Sequence, residues 1–515
     1  MKFAALLAVA AIAATAAGVN RAAAADPGFL TNQPSMMTAL APGSFVRPLI
    51  SVGETVGSYR FEAIPDGIAL SPGREGTVDV WVNHETSTVP FPYVPAAPTA
   101  ANSQNDFDNS QLSHLVLNRS TGGILQGSYA IPSSANYQRF CSNFLAGPEQ
   151  GFDRPLIFTN EEATDFVNRT GTAWPARPGA EQAGLVVAHD PQTGQSRPIY
   201  GLGRMNHENT IAVPGYGRPV LLTADDTFSA PASQLYLYAA LSRDAVWNDQ
   251  GRLWAFVSDV PTVNDYGDLS GVASVSGRFI PVPDAIADGD QTGLENWSNA
   301  NNVFQFIRVE DLAYDRNRPN VVYFADTGEP RALPDPTTGR LRRGPSGTQG
   351  PYMNGRVFKL VLSPTNPTVV TSLSILIDGD TGGYNNPAAL HQPDNVETTK
   401  TSVLVTEDPG SHNQYSPGAG PNSRLWRYNL ATTGFAPAAM VDQSADPSAR
   451  AGAWEVSGIV DASSVFGAGT FLLDVQAHTI FVQTAPGPDL RPPPGPDWLY
   501  KREAGQLLGM RIPGA

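Results

Sequence analysis

The sequence predicts an all-β fold, a six-bladed β-propeller with loop insertions, on three observations. First, residues 50–480 show no long amphipathic helical periodicity. Second, short apolar or alternating runs recur and end in Gly, Pro, Asn or Asp, as in HLVLNRSTGG, GLVVAHDPQTG and RVFKLVLSP. Runs of that length between turn residues are strands joined by tight connections. Third, one submotif returns six times: an apolar strand runs into a small or polar residue and then, in most copies, into acids. The copies are VWVNHE (80–85), LIFTNEE (156–162), VLLTADD (220–226), VVYFADTG (321–328), VLVTEDPG (403–410) and FLLDVQAH (471–478). Roughly 65 to 100 residues separate successive copies, which is too far for one hairpin and suits a four-stranded blade with insertions.

Taken in order, the elements fit that plan. QLYLY and GRVFKLVLS lie between copies and would complete blades. The stretches 97–110, 264–278 and 332–352 are rich in turn residues and read as insertions on blade faces. The proline-rich tail, about 484–515, would clasp the outside or close the ring. The 49 glycines and 45 prolines are spread along the chain as turn punctuation, so a single propeller domain over 26–515 is expected.

The first 25 residues, MKFAALLAVAAIAATAAGVNRAAAA, carry Lys2, an alanine-rich apolar run and a small-residue cleavage site. They read as a secretory signal peptide cut near Ala25, with Ala17 as the alternative. Export to the periplasm or beyond is therefore expected. No later stretch approaches a membrane-spanning length. The net charge of −15 excludes nucleic acid and anionic membrane surfaces as partners, and suits a protein that binds several calcium ions. The single cysteine, Cys141, rules out an intrachain disulfide. On residue type alone it is buried and inert.

The acids at the strand ends carry the functional reading. Adjacent carboxylates repel, so Glu161-Glu162 and Asp225-Asp226 must be solvated, paired with arginine or bound to a cation. One such pair is a turn; a series at equivalent strand ends, converging on a central funnel, is a candidate calcium site. In GRMNHE, His207 and Glu208 would face opposite sides of an extended strand, and Glu208 is assigned to the funnel. In QFIRVEDLAYD, Arg308 and Glu310 share a face, so one can hold an anion beside a cation held by the other. Asp394 and Glu455 would open blades whose later strands end in Glu407 and Asp474; Glu85 and Asp326 are further candidates. No HxH or HxxxH pair, GxSxG or phosphate loop is present, which speaks against zinc hydrolases, serine hydrolases and nucleotide enzymes.

The ordered series WVNHE, a cysteine followed by LIFTNEE, GRMNHE with LLTADD, IRVEDLAYD with YFADTG, and QPDNVE with LVTED resembles the PhoX family of secreted alkaline phosphatases, from about residue 50 to 480. The resemblance implies a propeller whose funnel holds iron and calcium and cleaves phosphate monoesters. It implies that Cys141 binds iron with one carboxylate of Glu161-Glu162, and that Glu208 and Glu310 are catalytic metal ligands. It further implies that Arg308 contacts phosphate and that Asp394 and Glu407 lie near calcium. The chain departs from the family in lacking Arg-Arg in its leader and in carrying Val309 where the family has proline. The expectation is thus a metal-dependent phosphatase acting as a monomer on small phosphorylated substrates. A calcium-dependent lactonase, esterase or phytase-like hydrolase on the same propeller stays open, as does a non-catalytic calcium-stabilised binding propeller.

Overall fold

The computed structural model describes residues 26–86, 110–164, 166–168, 180–227, 233–383, 386–410, 420–486 and 499–515. The leader, most of the 97–110 insertion and part of the proline-rich tail lie outside them. Among the described residues the architecture is all-β, and every sheet is antiparallel. The apolar runs form the strands as expected. Val220–Asp225 and Val321–Asp326 are buried along their whole length, because sheets cover both of their faces. Helices are short; the longest described, Gln291–Ala300, is capped by Asp290, whose side chain accepts the Gly293 N–H. No described helix is long and apolar enough to cross a membrane.

The arrangement is propeller-like, with a correction to the expected six separate blades. Four sheets of four or five strands stand alone. They start from the inner strands Pro65–Pro72, Phe140–Ala146, Pro393–Thr398 and Glu455–Asp461. The inner strands His207–Ala212 and Val309–Tyr314 instead open the two ends of one nine-stranded sheet. Strand Val275–Pro281 causes the fusion: it pairs with Arg252–Ser258 on one edge and with Val369–Asp378 on the other. Both chain ends are tied in. Leu499–Arg511 lies between Thr470–Pro486 and Phe45–Ser51, so the residues read as a tail are partly a strand of the last sheet.

The six inner strands touch one another in sequence order, and the last returns to the first. Hydrophobic clusters fill the gaps between successive strand groups. In the largest, Phe306 and Phe358 meet edge to face at 5.5 Å, with Phe324 against both. Each fully buried phenylalanine contributes about 1.5–3 kcal/mol. The ring is tight at its centre. A Cβ on Gly67 would lie 2.3 Å from the Asn143 nitrogen, and one on Gly458 would lie 2.5 Å from the Asp66 carbonyl oxygen. Only glycine lets neighbouring inner strands approach this closely.

Candidate metal centre

A β-bulge in each inner strand builds the site. Pro65 pairs with His84, but the next pair is Ile68 with Val82, so two residues of the inner strand go unmatched. The same slip follows Phe140, His207, Val309, Pro393 and Val456. A bulge re-aims the side chain beside it. The first unmatched residues are Asp66, Cys141, Glu208, Glu310, Asp394 and Ser457. All but Ser457 line one central cavity of about 580 Å³. Ile64, Arg139 and Gln392, each just before its bulged strand's pairing begins, take the left-handed conformation, with φ of 50°, 41° and 49°.

A second ring comes from the neighbouring strands. Directly after the last residue paired with the inner strand stand Glu85, Glu162, Asp226, Thr327 and Asp408, and Gln476, itself paired with Glu455, takes the corresponding place in the last sheet; four of these six also line the cavity. Thr327 Oγ1 donates to Glu310, and Gln476 Nε2 donates to Asp66 Oδ2 at 3.2 Å and Ser457 Oγ at 3.0 Å. Arg308 is buried, with Nε and Nη2 bonded to the two oxygens of Asp226 at 2.8 and 2.6 Å and Nη2 3.2 Å from Glu310.

The acid one position earlier in each pair turns away from the cavity, since successive strand residues face opposite sides. Glu161 accepts the N–H groups of Gln138 and Leu185; Asp326 accepts those of Ile307, Arg308 and Gly328. Glu407 accepts the His391 N–H and is clasped by Arg424, and Asp225 accepts the Thr227 N–H. Glu161, Asp326 and Glu407 thereby satisfy backbone donors at the entrances to inner strands. Glu161, Asp225, Asp326 and Glu407 therefore lie outside the cavity lining. Asp474 is also buried outside the cavity lining. His207 is a core residue, bonded to Thr223 Oγ1 and the Gly203 carbonyl. Glu161→Ala should cost about 1–3 kcal/mol for each N–H it orphans and leave metal content unchanged. Glu162→Ala should lower metal content at nearly unchanged stability. Denaturant unfolding with metal analysis checks the pair.

Several lining residues escaped the sequence reading: Asp66, Arg139, Asp408, Arg450, Gln476 and His478. Asp66 sits in PDG, a turn signature; comparison with FCS, HEN, VED and PDN at the other bulges would have found it. Burial pulls the His478 imidazole down, but Glu503 at 2.6 Å and Glu455 at 3.5 Å outweigh it and hold the group well above its ordinary value.

The electrostatics call for cations. The cavity lining includes nine carboxylates against three arginines and one histidine. Burial and mutual repulsion push Glu208 and Asp394 well up, Glu310 to about 8 and Asp66 to about 6. Ligand atoms lie within 4.8 Å of one another in four groups: Asp66–Glu85–Cys141, Cys141–Glu162–Glu208, Glu162–Asp226–Glu310 and Glu208–Glu310–Asp394. Carboxylate oxygens suit calcium, and a cysteine sulfur beside them adds a soft donor that a transition metal such as iron or zinc accepts, so the donor set fits both classes of ion. Burial and the surrounding acids push the Cys141 thiol up; it donates to Asp66 Oδ2 at 3.1 Å.

No family model matches the sequence, and no curated protein matches it either. Among solved structures, the chain is similar to Pseudomonas fluorescens PhoX in complex with vanadate, a transition state analogue. The TM-score is 0.59 at 15% identity, covering 94% of this chain and 98% of that one. The parainfluenza virus 5 hemagglutinin-neuraminidase ectodomain reaches a TM-score of only 0.31 at 10% identity, over 94% and 84% of the two chains, and carries no weight. At these identities the likeness is one of architecture, and the chain has a PhoX-like fold.

Proposed function

We propose that the chain is a metal-dependent phosphoric monoester hydrolase, a distant relative of the PhoX phosphatases, exported as one domain over residues 26–515. The observation that carries this reading is the convergence of Cys141, Glu162, Glu208, Arg308, Glu310 and Asp394 on one buried cavity within a PhoX-like fold. Calcium would be held by Glu208, Glu310 and Asp394, and iron by Cys141 with Glu162 and Glu208. Bound there, the metals would act as Lewis acids, neutralising charge on the phosphate oxygens.

The chain's own groups have separate tasks. Arg308, pinned by Asp226, presents a fixed guanidinium to an oxyanion. Thr327 orients Glu310. Arg139 and Arg450 add positive charge to the cavity wall, which offsets the acids for an anionic substrate.

Release of phosphate from an aryl phosphate at alkaline pH, before and after chelation and calcium readdition, tests the reading. Turnover that vanishes with chelation and returns with calcium supports it. No turnover in folded, metal-loaded protein sinks it. A calcium-only hydrolase is the second reading, because the groups Glu162–Asp226–Glu310 and Glu208–Glu310–Asp394 are built of carboxylates alone. Cys141→Ser separates the two. An iron role predicts loss of bound iron and at least about a tenfold fall in turnover, whereas a calcium-only site keeps its activity.

A further inference from the structure

We propose that Ser142 and Asn395 are positioning residues that fix Glu208 through a one-way hydrogen-bond relay, a role that rests on the metal reading of the central cavity. Ser142 directly follows Cys141, and Asn395 directly follows Asp394, so each is the second unmatched residue of its bulge. They lie one tier deeper in the ring. There they line a second cavity, of about 560 Å³, which continues along the later residues of the same inner strands. Together they form part of the floor between the two cavities.

The direction of the relay follows from donor chemistry. Asn395 Nδ2 lies 2.8 Å from Ser142 Oγ and can only donate. Ser142 Oγ must therefore accept there, which leaves its single proton for Glu208 Oε1 at 2.8 Å. The alternative acceptor, Asp66 Oδ1, is 3.5 Å away. Asn395 is itself fixed by its own N–H, which donates to Thr406 Oγ1 at 2.8 Å. Exposure is 1% for Asn395, 2% for Ser142 and 1% for Glu208, so solvent has no ready access to replace a lost link. Glu208 belongs to two of the candidate metal clusters, one with Cys141 and Glu162 and one with Glu310 and Asp394. A donor held on Oε1 favours the carboxylate and sets its plane for the neighbouring clusters.

Asn395→Leu keeps the approximate size but removes the donor, which leaves the Ser142 hydroxyl free to turn from Glu208 Oε1 towards Asp66 Oδ1. It changes no charge. A purely electrostatic role therefore predicts unchanged cation binding. The relay predicts weaker binding at an unchanged unfolding midpoint.

The test is calcium titration by calorimetry on chelator-treated full-length protein, with unfolding midpoints as a fold control. Parent, Ser142→Ala, Asn395→Leu and the double variant are compared. Each single variant should weaken calcium binding by about 10–100-fold. The double variant should be no worse than the poorer single, because both act through one proton. Single variants that bind calcium as tightly as the parent, or losses that simply add, overturn the relay. A parent that binds no calcium overturns the metal reading as well, which separates the two failures.

Discussion

Stripped of metal, the protein should be less stable at about pH 8.5 than at about pH 5.5, the reverse of a protein held by ordinary salt bridges. Glu310 is pushed to about 8 and Asp66 to about 6 by burial among other acids, whereas free carboxyls titrate near 4. Both groups therefore have raised folded-state values. Between about pH 4 and about pH 8 the folded protein holds protons that the unfolded chain has released. Stability then falls as pH rises through that window, by up to about 1.4 kcal/mol per pH unit for each proton retained. Metal reverses the sign. Ligation requires carboxylates free of protons, so calcium stabilises more as pH rises. The separation between metal-loaded and metal-free melting midpoints should widen by several degrees from about pH 5.5 to about pH 8.5. Differential scanning fluorimetry at a series of pH values, with and without chelator, measures it. A separation that stays constant across the series would refute a metal site built from these acids.

The sequence displays the strands clearly because apolar runs such as VVYF and VLVT end in unmistakable turn residues. The acids at their ends are equally visible, but not their directions. Glu161 and Glu162 differ by one position, and whichever faces the centre is decided by the register of the partner strand. A bulge is a mismatch between two strands, so no single segment announces it. That is why Glu162 and Asp226 could be named only alongside Glu161 and Asp225. Asp66 was hidden for a different reason: Pro-Asp-Gly has the chemistry of a turn, yet here it opens an inner strand. The fusion of two strand groups by Val275–Pro281 was also out of reach, because that strand pairs on both edges with segments far apart in the chain. Leu499–Arg511 was obscured by the prolines before it. By contrast, Cys141, Glu208, Arg308, Glu310 and Asp394 were all nominated from the sequence and stand on one cavity wall.

Arg308 gives the second large effect. Its guanidinium is buried with Nε and Nη2 on Asp226 and Nη2 near Glu310, so its orientation is fixed before any substrate arrives. A preorganised donor of this kind is worth about 10²–10³ in turnover when it meets a developing oxyanion. Arg308→Lys keeps the charge but loses the two-pronged contact with Asp226, and should lower kcat/KM for an aryl phosphate by about that factor. Arg308→Ala should lose at least as much, but it also strands Asp226 as a buried, unpaired acid, at a cost of about 3–5 kcal/mol. Loss of activity in that variant alone would not distinguish a lost phosphate contact from a damaged fold. The double variant Arg308→Gln/Asp226→Asn does distinguish them. It replaces the ion pair with two amides that can hydrogen-bond each other, so stability should largely return. If Arg308 serves the oxyanion, turnover stays low while the melting midpoint recovers. If turnover recovers to within about threefold along with the midpoint, the arginine's task is to neutralise Asp226 and the phosphate contact must be sought at Arg139 or Arg450.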